Sequence, residues 1–188
     1  MAYHTQIARG KKPLSGFDNW IARNIYKISR TLAIIFGIMW GIDGQFKFWP
    51  GLVSAFPSMV QSVAAGQPGW LQGWFSFWLS QANSNSAVLV YVTGVFELLL
   101  AFCLIAGFAR KTAYGGGLIL SLFIWAIPEG FGGPYGPGST DIGTGIIYAM
   151  VFLFLIILNA SNGTNPYSLD SFIEKKFKWW KVVAEVKR

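Results

Sequence analysis

Trp125-Ala-Ile-Pro-Glu-Gly-Phe-Gly-Gly-Pro-Tyr-Gly-Pro-Gly-Ser-Thr-Asp-Ile-Gly-Thr-Gly-Ile-Ile-Tyr148 joins two long apolar runs. It carries Gly130, Gly132, Gly133, Gly136 and Gly138, three prolines (Pro128, Pro134, Pro137) and the carboxylates Glu129 and Asp141, with no Lys or Arg. Glycine admits left-handed backbone and proline fixes φ, so the stretch reads as a shaped, irregular loop. It divides the apolar block between Thr112 and Leu158 into two elements. A turn that merely needs glycines and a lid over a site at a membrane surface both satisfy this composition.

Outward from the loop, the chain is apolar. Of its 188 residues 53% are hydrophobic and 12% charged, with a mean hydropathy of +0.45. Ordinary soluble domains carry about 25% charged residues. The composition points to an all-α integral membrane protein. The net charge of +7 is concentrated at the ends. Arg9, Lys11, Lys12, Arg23, Lys27 and Arg30 precede residue 31, and Lys175, Lys176, Lys178, Lys181, Lys187 and Arg188 follow residue 174. Basic ends beside apolar runs suit the cytoplasmic leaflet rather than nucleic acid, for which no binding motif is present. One cysteine, Cys103, and one histidine, His4, exclude an intrachain disulfide. They also leave too few ligands for bis-His haem, an iron–sulfur cluster or a Cys/His zinc site.

The periodicity predicts a four-helix membrane domain over 31–160. Its spans are 31–48, 87–108, 112–128 and 142–158, and its outer segments are 49–86 and 129–141. Residues 1–30 form a basic cytoplasmic segment in which Phe17, Trp20, Ile21, Ile25 and Ile28 predict a helix on the membrane surface. Residues 161–188 predict a basic amphipathic tail anchored by Trp179 and Trp180. Gly37 with Gly41, and Gly115 to Gly117, give small faces for helix packing. Gln81 to Ser86 reads as a polar turn, and Asp141 as a candidate N-cap of the last span. Lys47, at the outer end of the first span, is the single basic residue over 43–86 and 128–141, so both termini and the Arg110–Lys111 turn are placed on the cytoplasmic side of the cell membrane.

Three motifs are familiar. Gly94-Val-Phe-Glu97-Leu-Leu-Leu-Ala101 with Leu104-Ile-Ala-Gly107-Phe-Ala-Arg110-Lys-Thr-Ala113 resembles the DoxX-like superfamily of four-helix membrane proteins. Gly41-Ile-Asp43-Gly44-Gln-Phe-Lys47-Phe48 resembles that family's first-helix end. Pro128-Glu129-Gly130 and Thr140-Asp141-Ile-Gly143-Thr-Gly145-Ile-Ile-Tyr148 resemble the DoxD branch, the membrane subunit of thiosulfate:quinone oxidoreductase. The resemblance covers roughly residues 30–160. It implies oxidation of thiosulfate to tetrathionate with electrons passed to a quinone co-substrate, and a second small subunit as partner. It assigns no catalytic residue.

The residues suggest where such chemistry would fall. Glu97 lies within a span, where a carboxylate costs several kcal/mol, so it must face the bundle interior and be protonated or paired. Glu97, Asp141 and Glu129 form a candidate proton relay. Lys47 and the amides of Gly132, Gly133, Gly136 and Gly138 are candidate anion donors for thiosulfate. Trp49, Trp74, Trp78 and Tyr148 are candidate quinone contacts. No metal or haem is expected. Besides membrane lipids, the alternative partner is a larger respiratory complex, such as a quinol-oxidising terminal oxidase, in which the chain is a non-catalytic accessory subunit. A small-molecule channel or transporter with Glu97 on its path is a third reading.

Overall fold

The computed structural model describes residues 15–133, 135 and 141–186, and within them the chain is helical with no strand. Seven α-helices follow in order: α1 Gly16–Phe46, α2 Leu52–Ala64, α3 Gln72–Ala106, α4 Arg110–Ala126, α5 Thr144–Asn162, α6 Leu169–Lys176 and α7 Lys181–Ala184. Short 3-10 turns stand at Gly69–Leu71, Gly130–Gly132 and Lys178–Trp180. Helices α1, α3 with its preceding turn, and α5 are long and apolar enough to cross a membrane. Helix α4 is apolar but has 17 residues. Their outer faces are apolar too: Ile35, Ile42, Phe96, Phe102, Phe154 and Ile157 are all exposed. Water would not tolerate this arrangement over so wide a surface, and lipid requires it.

Helix α1 lies antiparallel to α3, and small residues set the separation. A Cβ on Gly37 would stand 2.8 Å from Leu104 Cβ, one on Gly44 3.0 Å from Glu97 Cβ, and one on Gly94 2.7 Å from Lys47 Cβ. The close-approach stripe on α1 is therefore Gly37 with Gly44, and Gly41 has more room, at 3.6 Å from Ala101. Helices α4 and α5 form the second antiparallel pair. Of the three glycines on α4, only Gly117 meets a neighbour, the ring of Phe152. The two pairs join through Phe36, Trp40, Tyr148 and Phe152, whose rings stand 4.9–6.1 Å apart. This is the usual spacing of tilted and edge-to-face pairs.

Several local expectations change. The segment 17–28 is the first part of α1, continuous with the apolar span, and not a separate surface helix. Ser15 Oγ accepts the Asp18 N–H and starts the helix. The polar stretch Gln81–Ser86 stays inside α3 as a kink, where Asn85 leaves helical geometry (φ −134°, ψ 27°). Ser86 there donates to the Val53 carbonyl of α2. The tail is broken into α6, a 3-10 turn and α7, and folds back on the bundle.

That fold-back builds a closed polar knot at what we call the tail end. Gly107 (φ +67°) and Ala109 (φ +49°) make the α3–α4 turn left-handed. Asp170 accepts from the Ala109 N–H (2.7 Å), the Arg110 N–H (3.0 Å), Arg110 Nε (2.9 Å) and Trp180 Nε1 (2.7 Å). Arg30 Nη1 caps the end of α3 through the Leu104 carbonyl (2.6 Å), and its Nη2 donates to Ile105. Trp180 thus serves the knot, whereas Trp179 is exposed.

Candidate functional site

The opposite end, at the close of α1, carries the charges that sequence singled out. Asp43 and Lys47 are one turn apart on α1, and their side chains meet at 3.5 Å. Lys47 Nζ also stands 3.4 Å from Glu97 Oε2. Glu97 is fully buried, and neither of its oxygens has a hydrogen-bond partner. A buried carboxylate normally collects several donors, so this one is underserved.

Asp43 faces a groove of about 430 Å³ between α1, α4 and α5. Its lining includes Trp40, Asp43, Phe46, Ser121, Glu129 and Tyr148. Trp40 is fully buried, and its indole N–H has no partner. A second cavity, of about 350 Å³ and almost wholly apolar, is lined by Lys47, Phe56, Met59, Trp78, Thr93 and Phe123, among others. Ile124 lines both. Lys47 therefore stands between an acidic groove and an apolar pocket.

The loop holds Glu129 in place. Gly143 (φ +98°) is the N-cap of α5, in a conformation that only glycine adopts easily, and it offers no side chain to the helix. Glu129 takes over the capping: its Oε2 accepts the Gly145 N–H at 2.8 Å. This corrects the expectation for Asp141, which is exposed and accepts the Gly143 N–H at 2.7 Å, one step short of the helix. Burial pushes the Glu129 carboxyl above its ordinary 4.5, the Gly145 N–H holds it back, and the charges of Asp141 and Asp43 add to the rise. Trp125 Nε1 donates to the Ile142 carbonyl (2.7 Å), and Gln67 Nε2 to Gly130 (2.9 Å), tying both arms of the loop down.

The sequence-derived candidates therefore separate. Glu129 and Tyr148 line the groove, Glu97 lies behind it on Lys47, and Asp141 lies outside its lining. Trp78 lines the apolar pocket. Trp74 packs on Trp78 and donates to the Ala126 carbonyl (3.0 Å), and Trp49 is exposed against Phe46. Lys47 is engaged by two carboxylates, and the amides of Gly132 and Gly133 donate to the carbonyls of Glu129 and Gly130. Gly136 and Gly138 lie outside the described residues. Asp43 and Trp40 are the groove residues that sequence reasoning missed. Asp43 entered only as part of the Gly41–Phe48 motif, and Trp40 is one aromatic among many in an apolar run. Among the described residues no three His, Cys, Asp or Glu side chains converge as a metal site. Comparison with protein-family models, with curated proteins and with solved structures returns no match.

Proposed function

We propose that this chain is the membrane subunit of a quinone-linked respiratory complex, and that its most specific form is a DoxD-like thiosulfate:quinone oxidoreductase. In this reading α4 is a fourth span of the cytoplasmic membrane, both termini are cytoplasmic and the Glu129 loop is outside. Twelve of the fifteen basic residues lie at the two chain ends and Arg110 and Lys111 lie in the α3–α4 turn, which leaves Lys47 as the one basic residue of the outer side and supports that orientation.

The observation that carries the proposal is the groove. It combines aromatic walls, two carboxylates and the Tyr148 side chain beside the lipid-facing bundle. A quinone ring needs apolar walls and hydrogen-bond donors for its oxygens. Reducing it needs two electrons and two protons. The Tyr148 hydroxyl is the donor, and the carboxylates of Asp43 and Glu129 pass protons from water to the reduced ring. Two thiosulfates give up one electron each and join through a new S–S bond as tetrathionate. The quinone takes both electrons and two protons and leaves as quinol. Asp43 and Glu129 repel a dianion, so the thiosulfate site belongs to the second small subunit.

One observation favours the accessory reading: Lys47 and the Gly132 and Gly133 amides are already engaged and offer an anion little. The test is the complex purified in mild detergent and assayed for thiosulfate-dependent reduction of a short-chain quinone. We expect turnover with a small co-purifying subunit. Joint Asp43→Asn and Glu129→Gln substitution should lower kcat about 100-fold with little change in the KM for quinone. Terminal-oxidase subunits in the preparation, with no response to thiosulfate, would leave the chain an accessory subunit.

A further inference from the structure

Helix α6 is built inside out. Its inner face is polar, with Asp170 fully buried and Ser171 and Glu174 nearly so, while Phe172 is 63% exposed and Leu169 also faces out. In water this would be a poor helix. At a lipid boundary it is the expected one, because the polar face has the Arg110 knot and the apolar face has acyl chains. Phe177 and Trp179 extend the exposed apolar edge. Lys175 and Lys176 lie over the rings of Phe172 and Phe177 at 5.4 and 5.6 Å. Long basic side chains on such an edge keep their stems in the apolar layer and lift their charges to the headgroups.

Beside this edge is an open pocket of about 340 Å³ lined by Thr164, Pro166, Ser171, Glu174, Lys175 and Lys181. Glu174 is the one acid in it. Its Oε2 is held by the Thr164 hydroxyl at 2.7 Å, and its Oε1 is buried 3.8 Å from Arg110 Nη2. Burial, and then the neighbouring Glu185, raise this carboxyl, while the Thr164 hydrogen bond and Arg110 hold it down. The two lysines remain exposed at the mouth.

We propose that this pocket seats the phosphate of an anionic phospholipid, with Lys175 and Lys181 as its cations and Phe172 and Trp179 in the acyl layer. The tail is thereby a lipid-recognition element and not only an anchor. The inference rests on the membrane reading alone and is independent of quinone and thiosulfate.

The experiment uses the full chain in nanodiscs of phosphatidylcholine with a rising share of brominated phosphatidylglycerol, read by fluorescence quenching. A Trp179→Phe variant isolates the Trp179 signal. We expect Trp179 to be half-quenched at a lower mole fraction of brominated phosphatidylglycerol than of brominated phosphatidylcholine. Lys175→Gln and Lys181→Gln should each raise that fraction about fivefold, since a lysine near an anionic surface contributes about that factor in affinity. Equal quenching by both lipids, or an unchanged response in the lysine variants, overturns the proposal. Failure of the chain to enter nanodiscs at all would instead overturn the membrane reading, and this proposal with it.

Discussion

The two ends of the bundle use similar charged groups and leave them in opposite states. At the tail end, Asp170 is fully buried and receives four donors, among them the Arg110 guanidinium. At the loop end, Glu97 is fully buried as well, yet it has one lysine at 3.4 Å and no hydrogen bond. A saturated buried carboxylate holds a fold together. An unsaturated one retains capacity to interact with something else. The difference separates a saturated end from an unsaturated one.

The largest predicted effect tests that contrast directly. Asp170→Ala should destabilise the protein by about 3–5 kcal/mol, because it strands a buried guanidinium. Glu97→Gln should change stability by less than about 1 kcal/mol, since Lys47 is partly exposed and keeps Asp43 as a partner. Thermal unfolding of both variants in one detergent checks the pair. Equal losses would erase the distinction between the ends.

A smaller effect probes the packing that holds the ends apart. Gly117→Ala drives a methyl into the Phe152 ring and should cost about 1–3 kcal/mol. Gly116→Ala, one residue away, meets nothing within 4 Å and should change stability by no more than about 1 kcal/mol, in the favourable direction. The same unfolding measurement separates them.

The smallest effect sharpens the loop end. Glu129 has a folded-state carboxyl raised above 4.5, so the folded protein holds a proton that the unfolded chain releases. Its contribution to stability is fully present below pH 4.5 and is lost as pH rises through the folded value. Glu129→Gln keeps an oxygen for the Gly145 N–H and should flatten this shallow fall in Tm. An identical pH profile in the variant would show that folding does not shift the Glu129 carboxyl.

Much of the site was legible in part. Glu97 was marked by its place in an apolar run, because the cost of charge in hydrocarbon is visible from sequence. Its pairing with Lys47 was not, since the two are 50 residues apart. They meet because Gly44 and Gly94 let α1 and α3 approach closely. The exchange of roles between Asp141 and Glu129 was hidden for a similar reason. Capping propensity favours the nearer acid, and the loop brings in the farther one.

Sequence by itself determined the apolar helices, the irregular loop between α4 and α5, and the concentration of basic charge at the ends. These follow from hydropathy, glycine and proline, which act over a few residues. Only the tertiary structure decided which acid caps α5, which glycines are contacts, and that α6 turns its polar face inward. Those outcomes depend on which surfaces meet across tens of residues, and no local pattern encodes that.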